Sequence, residues 1–172
     1  NEKWDLYLDV LNEQAPVFLR SNTLKISSQV LQKKLQEENV FTELIPESSA
    51  LKLLERKNVF LTQAFKEGLF EVQDLGSQYI SEFVDPKPGD RIVDACAGAG
   101  GKSLHLAALM KNKGKIISLD IHEWKLKELR KRANRNSIDI IECRAISDQK
   151  VVKRLNQKAD KILLDVPCSG LG

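Results

Sequence analysis

Two side chains near the carboxyl end of the chain have the types and spacing needed for covalent chemistry. Asp165 and Cys168 lie three residues apart, directly after the apolar residues 162–164. A predicted strand that ends there would present a carboxyl group and a thiol together at one edge of a sheet. A thiolate is a strong nucleophile and a carboxyl group can transfer a proton, so the pair predicts nucleophilic catalysis with acid–base assistance.

A second segment, residues 94–103, reads Asp-Ala-Cys-Ala-Gly-Ala-Gly-Gly-Lys-Ser and stands between an apolar run and an apolar-periodic stretch. This order predicts a strand, a glycine turn and a helix. Glycine lets the backbone come close to a ligand, and the free N–H groups of the following helix point towards it. We therefore expect a nucleotide-like cofactor at this turn.

Two familiar kinds of phosphate site match the turn incompletely. A P-loop would share the Gly-Lys-Ser of residues 101–103, but its first glycine would have to stand where the chain has Cys96. A dinucleotide fingerprint counted from Gly98 and Gly100 would need its third glycine where the chain has Ser103.

An S-adenosylmethionine site is a third possibility, and it requires an acid at the end of each of the first two strands. Asp94 and Asp120 occupy those places. Asp120 could accept hydrogen bonds from both ribose hydroxyls, or it could cap the helix that begins near Glu123. Asp94 could likewise serve only as a buried cap for the turn.

Taken as complete motifs, these segments resemble those of the Fmu/Sun-type RNA cytosine-C5 methyltransferases. The family motifs Asp-x-Cys-Ala-Ala-Pro-Gly-Gly-Lys-Thr and Asp-Ala-Pro-Cys-Ser-Gly are similar to residues 94–103 and to Asp-Val-Pro-Cys-Ser-Gly at residues 165–170. Gln-Asp-Leu-Gly-Ser-Gln at residues 73–78 and Leu-Arg-Ser-Asn at residues 19–22 are similar to two further family segments. The resemblance extends over the chain from Pro16 onward.

The resemblance implies S-adenosylmethionine as the cofactor and a cytosine in ribosomal or transfer RNA as the substrate, with ribosomal RNA favoured. It makes Cys168, Asp165 and Lys102 the expected catalytic residues, with Asp165 between cofactor and base and Lys102 facing the methyl-transfer site. Asp120 is expected to bind the ribose. The residues expected along the methionine end of the cofactor are Cys96, Ala97, Gly98, Ala99, Gly100, Gly101 and Lys102.

Methylation of cytosine at carbon 5 needs an acid and a thiol close together. Carbon 5 attacks a methyl group only after a thiolate has added to carbon 6, while ring N3 is protonated or hydrogen-bonded. In the family the nucleophile is a second cysteine, in a Thr-Cys motif, and the Pro-Cys residue assists product release. The 172 residues contain no Thr-Cys pair. The resemblance therefore makes Cys168 the release cysteine and the chain a fragment that is inactive alone.

One departure from the family concerns adenine binding. Arg144 stands where the family has an acid that accepts a hydrogen bond from the adenine amino group, and arginine cannot accept one. We expect adenine to be bound instead by Asp148, by a main-chain carbonyl or by stacking alone. Cys143 lies in a predicted strand and is assigned no chemistry, and Cys96 is expected to be a small packed residue.

The elements that position these residues alternate strictly between strand and helix from Arg91 onward. Right-handed crossovers then give a parallel sheet. We expect an α/β, Rossmann-like methyltransferase sheet that is incomplete at its carboxyl end, because the chain stops at Gly172 after the fourth strand. The predicted strands are residues 91–94, 115–120, 138–143 and 161–165, and the predicted helices between them are 102–111, 123–135 and 149–156.

A small α+β domain precedes this sheet, with the predicted division at residues 1–67 and 68–172. The first unit is expected to bind RNA or to serve only in packing. Residues 1–88 carry 10 Lys and Arg against 14 Asp and Glu, whereas residues 89–172 carry 17 against 10. The basic half favours a polyanion such as RNA, although much of its charge falls in one predicted helix and could be a solvated face.

The composition argues against several other classes of protein. Three cysteines without paired spacing argue against a disulfide framework and a zinc site, so no metal is expected. The sequence shows neither a membrane-length apolar run nor the layout of a secretion signal, which predicts a cytoplasmic protein without a membrane partner. A monomer is expected.

Two alternative functions stay open. The glycine turn would also suit a nicotinamide-dependent oxidoreductase, although such an enzyme has no use for the Asp-Val-Pro-Cys segment. A non-catalytic RNA-binding module on a methyltransferase scaffold would account for Arg144 and for the lack of a Thr-Cys pair.

Overall fold

The computed structural model describes Trp4 and residues 14–166. Cys168 therefore lies outside the described residues, as do the other members of its motif, Pro167, Ser169 and Gly170. Within the described part, no helix is both long enough and apolar enough to cross a membrane.

The first unit is a four-stranded antiparallel sheet with the strand order β2-β3-β1-β4. Helix α1 begins after Ser27, whose side chain accepts a hydrogen bond from the Val30 N–H. Leu31 and Leu35, four residues apart on one face of that helix, are fully buried with Phe70 in a single core. The elements are β1 (Phe18–Ser21), α1 (Ser28–Glu37), β2 (Thr42–Leu44), β3 (Ala50–Leu53), a 3₁₀ turn (Val59–Leu61), α2 (Gln63–Lys66) and β4 (Phe70–Val72).

The last strand of this sheet lies beyond the predicted division at residue 68. Strand β4 pairs with β1 in antiparallel register, with Arg20 opposite Glu71. The small sheet thus extends to Val72, while the division into two domains stays a prediction.

The second unit is a parallel sheet with the strand order β7-β6-β5-β8. Its strands are connected by helices, as the strand–helix alternation predicts, and the expected Rossmann-like sheet is confirmed. Ile92, Leu104, Ile116 and Leu126 are fully buried in its main core. The elements are α3 (Leu75–Phe83), β5 (Arg91–Asp94), α4 (Gly101–Leu109), β6 (Lys115–Asp120), α5 (Glu123–Arg135), β7 (Ile141–Ala145), α6 (Gln149–Lys153) and β8 (Lys161–Leu163).

Several element boundaries differ from the sequence-based expectation, including both ends of α4, which runs from Gly101 to Leu109 and not over residues 102–111. Strand β7 begins at Ile141 and not at residue 138, because Ile138 still closes α5 by donating to the Ala133 carbonyl and Ser137 has a φ of 59°. Helix α6 ends at Lys153, where the chain turns so that the Asn156 N–H donates to its carbonyl. Strand β8 ends at Leu163, which leaves Asp165 just past the strand.

The strand order creates a topological switch point beside β5. The chain passes from β5 to β6 on one side and later returns to β8 on the other side. Asp94 at the end of β5 is in register with Leu163 at the end of β8. Ligands of open α/β sheets bind at the carboxyl edge at such a point, so the sheet places the glycine turn and Asp165 where a ligand is expected.

Candidate active site

The turn between β5 and α4 requires glycine at two positions. Gly98 and Gly100 have φ values of 55° and 88°, in the left-handed region. A Cβ atom on Gly100 would lie 2.0 Å from the Leu129 Cδ1 of α5, so the turn is pressed against that helix. A Cβ on Gly98 would meet nothing within 4 Å. The turn therefore packs on one side and faces open space on the other.

Helix α4 begins directly from this turn without a side-chain cap. Gly100 is its N-cap residue, and among the residues that the structure describes no side chain accepts a hydrogen bond from the first turn. The first N–H groups of a helix have no partner within the helix and carry partial positive charge. They can bind an electronegative ligand group at the open side of the turn.

Asp120, at the end of β6, connects the turn to the second strand. Its Oδ2 accepts a hydrogen bond from the Gly98 N–H at 3.0 Å, and its Oδ1 accepts one from the His122 N–H at 2.7 Å. A carboxylate offers about four lone-pair positions, so acceptor capacity remains for hydroxyl groups. Asp120 thus shapes the turn and keeps the capacity to bind a ribose.

Asp94 has a different position, inside the protein. It is 1% exposed, and its Oδ2 accepts a 2.6 Å hydrogen bond from the Ser103 hydroxyl, which lies 2.8 Å from the Ser118 hydroxyl. Burial raises the pKa of Asp94 to about 6, and the Ser103 hydrogen bond offsets only part of that effect. Asp94 joins the end of β5 to α4 and β6.

Lys102 and Asp165 are brought together at the switch point. The Lys102 Nζ lies 2.5 Å from the Asp165 Oδ2 and 3.4 Å from the Ser77 hydroxyl of α3. A small cavity of about 130 Å³ opens beside this ion pair. Its lining residues are Gln73, Ser77, Asp94, Cys96, Ala97, Gly101, Lys102 and Asp165.

The cavity contains several predicted site residues, while the others lie along the turn. Cys96, Ala97, Gly101, Lys102 and Asp165 line it together. Gly98, Ala99 and Gly100 follow in the turn, and the bond from Gly98 brings Asp120 to it. Cys168 is outside the described residues.

Sequence reasoning assigned no role to Arg20, Gln73 or Ser77. Arg20 of β1 donates from Nη1 to the Gly101 carbonyl at 2.8 Å and to the Gln73 side-chain carbonyl. Gln78 of α3 donates to the Gln73 main-chain carbonyl at 2.9 Å. The available signal was the likeness of residues 19–22 and 73–78 to family segments, which indicated importance without indicating contact with the turn.

The surroundings of the two described cysteines disfavour the thiolate form of each. Burial raises the pKa of the Cys96 thiol, and the nearby carboxylates of Asp94 and Asp120 raise it further. Burial also raises the pKa of Cys143, which lies half-buried in β7. Neither thiol is activated, which agrees with assigning no nucleophilic role to either.

Arg144 and Asp148 have local partners. The Arg144 Nε donates to the Glu142 Oε1 at 2.5 Å, and Asp148 caps α6 by accepting from the Lys150 N–H at 2.6 Å. Arg144 and Lys115 together lower the pKa of Glu142 to about 2.

Among the described residues, no cluster of three His, Cys, Asp or Glu side chains could hold a metal ion.

Comparison with known proteins identifies the family of the chain. Residues 81–172 match the family model described as 16S rRNA methyltransferase RsmB/F. The chain belongs to this family. The resemblance found in the motifs is thus confirmed, and family membership gives no support to a nicotinamide-dependent oxidoreductase.

Two curated relatives agree with this assignment. A probable ribosomal RNA small subunit methyltransferase B of Bacillus subtilis is 36% identical over 156 residues, covering 90% of this chain and 35% of the relative. A tRNA (cytosine(72)-C(5))-methyltransferase of Pyrococcus horikoshii is 37% identical over 110 residues, covering 64% of this chain and 28% of the relative. The chain spans about a third of the length of the curated relatives that it matches.

A solved structure also matches over nearly the whole chain. The crystal structure of a methyltransferase homolog protein from Pyrococcus horikoshii superposes with a TM-score of 0.84 at 35% identity, covering 94% of this chain and 53% of that one. The fold is therefore that of a methyltransferase of the RsmB/F family.

The residues of the turn fit the cofactor that this family and fold indicate, S-adenosylmethionine. Open space adjoins Gly98, where a side chain would fill it. Asp120, which keeps acceptor capacity for a ribose, is joined to the same turn. The assignment of individual residues to parts of the cofactor stays a prediction.

Proposed function

We propose that the protein methylates carbon 5 of a cytosine in RNA, with small-subunit ribosomal RNA as the substrate. The observation that carries this proposal is the Lys102–Asp165 ion pair beside the glycine turn, at the switch point of a methyltransferase sheet. Support for the ribosomal substrate comes from the description of the family model and the name of the Bacillus relative.

The proposed cofactor site follows the turn. The residues from Cys96 to Lys102 would hold the methionine end through close backbone approach and the free N–H groups of α4. Asp120 would accept hydrogen bonds from the ribose. When bound, S-adenosylmethionine supplies an electrophilic methyl group on a sulfonium centre.

The role of Asp165 follows from the electronic needs of cytosine. When a thiolate forms a bond to carbon 6, an electron pair moves to carbon 5, and the charge at N3 must be met by a proton or a hydrogen bond. The Asp165 carboxyl group, just beyond β8, would supply that proton or hydrogen bond. The Lys102 ammonium would keep the Asp165 side chain in one orientation, because the pair is joined at 2.5 Å.

The role proposed for Cys168 rests on the motif resemblance. It would assist in removing the proton from carbon 5, so that the electron pair returns and the carbon 6–sulfur bond breaks. The sulfur that forms this bond would belong to another cysteine. Removing Cys168 should then leave the covalent adduct in place.

Transfer of a labelled methyl group tests the function. The full-length protein is incubated with labelled S-adenosylmethionine and with either small-subunit ribosomal RNA or transfer RNA, and the nucleosides are analysed by mass spectrometry. We expect labelled 5-methylcytosine from the ribosomal substrate. Label on transfer RNA alone would contradict the proposed substrate, and label on no cytosine would contradict the proposed activity.

A cysteine variant tests the proposed mechanism in the same assay. Cys168→Ala should accumulate a protein–RNA adduct that survives a denaturing gel, whereas the matched variant Cys143→Ala should not. If Cys168→Ala forms no adduct and no product, Cys168 is the nucleophile and the proposed release role is wrong.

A further inference from the structure

A buried polar layer separates the small sheet from the glycine turn. Three of its residues come from the small sheet and the segment after it, and three come from α5 and its end. Arg20 and Glu71 face each other in the β1–β4 ladder, and each is 3% exposed. The members of this interface layer are Arg20, Glu71, Gln73, Arg132, Arg135 and Asn136.

Arg132 connects Glu71 to the turn. Its Nη2 and Nε donate to the Glu71 Oε2 at 2.9 and 3.2 Å, which fixes the guanidinium by two bonds to one oxygen. Its Nη1 donates to the Ala99 carbonyl at 2.8 Å. A carboxylate on the small sheet therefore orients an arginine that holds a main-chain oxygen of the cofactor turn.

Arg20 makes the equivalent contact two residues further along, at Gly101. Its Nη1 donates to the Gly101 carbonyl at 2.8 Å and also bonds the Gln73 side chain. The carbonyls of Ala99 and Gly101 lie on either side of Gly100, the residue with a φ of 88°. Two guanidinium groups therefore bind the main chain on either side of Gly100.

The composition of the interface layer favours a purpose beyond packing. It contains three guanidinium groups and one carboxylate, and it is buried enough that the pKa of Arg20 is lowered to about 9 in spite of Glu71. Burying unpaired cations is costly, and apolar side chains would fill the same space more favourably. The Ala99 and Gly101 carbonyls supply one acceptor each, to Arg132 and Arg20 respectively. The Nε atoms of Arg20 and Arg135 have no hydrogen-bond partner among the described residues.

We propose that Arg20 and Arg132 are positioning residues, which hold the glycine turn in its cofactor-binding shape, and that Glu71 sets the orientation of Arg132. This inference rests on the proposed role of the turn in binding S-adenosylmethionine. A glycine-rich turn loses much conformational freedom when it closes on a ligand. Fixing its carbonyls beforehand reduces the entropy lost on binding and so raises affinity.

Arg135 provides a matched control for Arg132. Both arginines lie on α5 and both donate to Glu71, Arg135 through Nη2 to Oε1 at 2.5 Å. The Arg135 guanidinium lies 3.8 Å from the Phe65 ring centroid, and no hydrogen bond joins it to the turn among the described residues. Arg132→Met and Arg135→Met therefore each remove one ion-pair partner of Glu71, but only Arg132→Met also removes the contact with Ala99.

Calorimetry with S-adenosylhomocysteine on the full-length protein separates positioning from general stability. Arg132→Met should raise the Kd about tenfold or more, the size expected for losing a charge-assisted hydrogen bond, and Arg135→Met should change it less than about threefold. Melting temperatures should fall for both. Glu71→Gln should raise the Kd in the same direction as Arg132→Met. Equal changes in Kd for the two arginine variants, or none for either, would overturn the inference.

Hydrogen exchange gives a readout that needs no ligand. The amides of residues 98–102 should exchange faster in Arg132→Met than in Arg135→Met, and equal exchange would contradict the inference. If the unmodified protein fails to bind S-adenosylhomocysteine, the proposed function fails, whereas exchange still decides whether Arg132 holds the turn. The two failures are therefore distinguishable.

Discussion

The Lys102 ammonium lies 2.5 Å from the Asp165 carboxylate, and this contact joins the start of α4 to the segment after β8, 63 residues later in the chain. The Lys102 side chain is 16% exposed and that of Asp165 is 42% exposed. An ion pair with one partner this exposed contributes little to stability. The pair is expected to act on the orientation of Asp165 and on the chemistry of the site.

Lys102→Met is expected to reduce methyl transfer by about 10²-fold or more, because Asp165 loses the group that fixes its orientation. The melting temperature should change little. Single-turnover transfer of a labelled methyl group measures the effect. Lys115→Met is the control, since it also removes a lysine–carboxylate contact, with Glu142 at 2.6 Å, outside the cavity. Equal rates in the two variants would contradict a role for Lys102.

The glycine turn gives a prediction about stability. Alanine at Gly98 or Gly100 must adopt a positive φ, which costs about 1 kcal/mol. Gly100→Ala also drives a Cβ into Leu129, so its loss of unfolding free energy should be about 2–4 kcal/mol, against about 1 kcal/mol for Gly98→Ala. Denaturant unfolding measures both values.

A double-mutant cycle with Leu129→Ala checks the cause of that difference. Because the shortened side chain removes the two closest clashing atoms, the combined variant should lose less stability than the sum of the single variants. Additive losses would mean that the clash with Leu129 is not the cause.

Much of this arrangement was predictable from local sequence. The alternation of strands and helices predicted the parallel sheet, and the spacing of Asp94, the glycines and Asp120 predicted which edge carries the site. Asp165 follows a strand that the switch point places beside the turn. These features depend on the periodicity of apolar residues and on the succession of strands and helices along the chain. Both can be recognised from the local sequence.

The contacts across the interface layer were not predictable in this way. Arg20 reaches Gly101 across 81 residues, and Glu71 reaches Arg132 across 61. Nothing in the pattern around Arg20 distinguishes a buried arginine from an exposed one in a short strand. Such contacts depend on how two sheets pack, which the local sequence does not specify.

Asp120→Asn should weaken cofactor binding. The carboxylate accepts from both Gly98 and His122, whereas an amide has one oxygen and would turn its NH₂ towards one of these N–H groups. We expect the Kd for S-adenosylhomocysteine to rise about tenfold, from the loss of a backbone acceptor at the turn. Asp160→Asn is the control, because it also removes an acceptor for a backbone N–H, that of Arg91, at the opposite end of β5. A similar Kd in both variants would show that Asp120 does not contribute to binding.

Asp94 should give a pH dependence of stability with a defined sign. Its pKa is about 6 in the folded protein, above the ordinary value of 3.8 expected in the unfolded chain, so ionisation disfavours the fold. The destabilisation is complete above pH 6 and is relieved as the pH falls towards 4. The difference between the two pKa values corresponds to about 3 kcal/mol.

The test compares Asp94→Asn with the unmodified protein at each pH, so that titration of other groups cancels. The variant cannot ionise, so its unfolding free energy relative to the unmodified protein should rise by about 2–3 kcal/mol between pH 4 and pH 7.5. Ser103→Ala supplies the complementary measurement. It removes the 2.6 Å hydrogen bond that favours the carboxylate, which should move the Asp94 transition to higher pH. A relative stability of Asp94→Asn that stays constant over this range would show that Asp94 is ionised in the fold throughout.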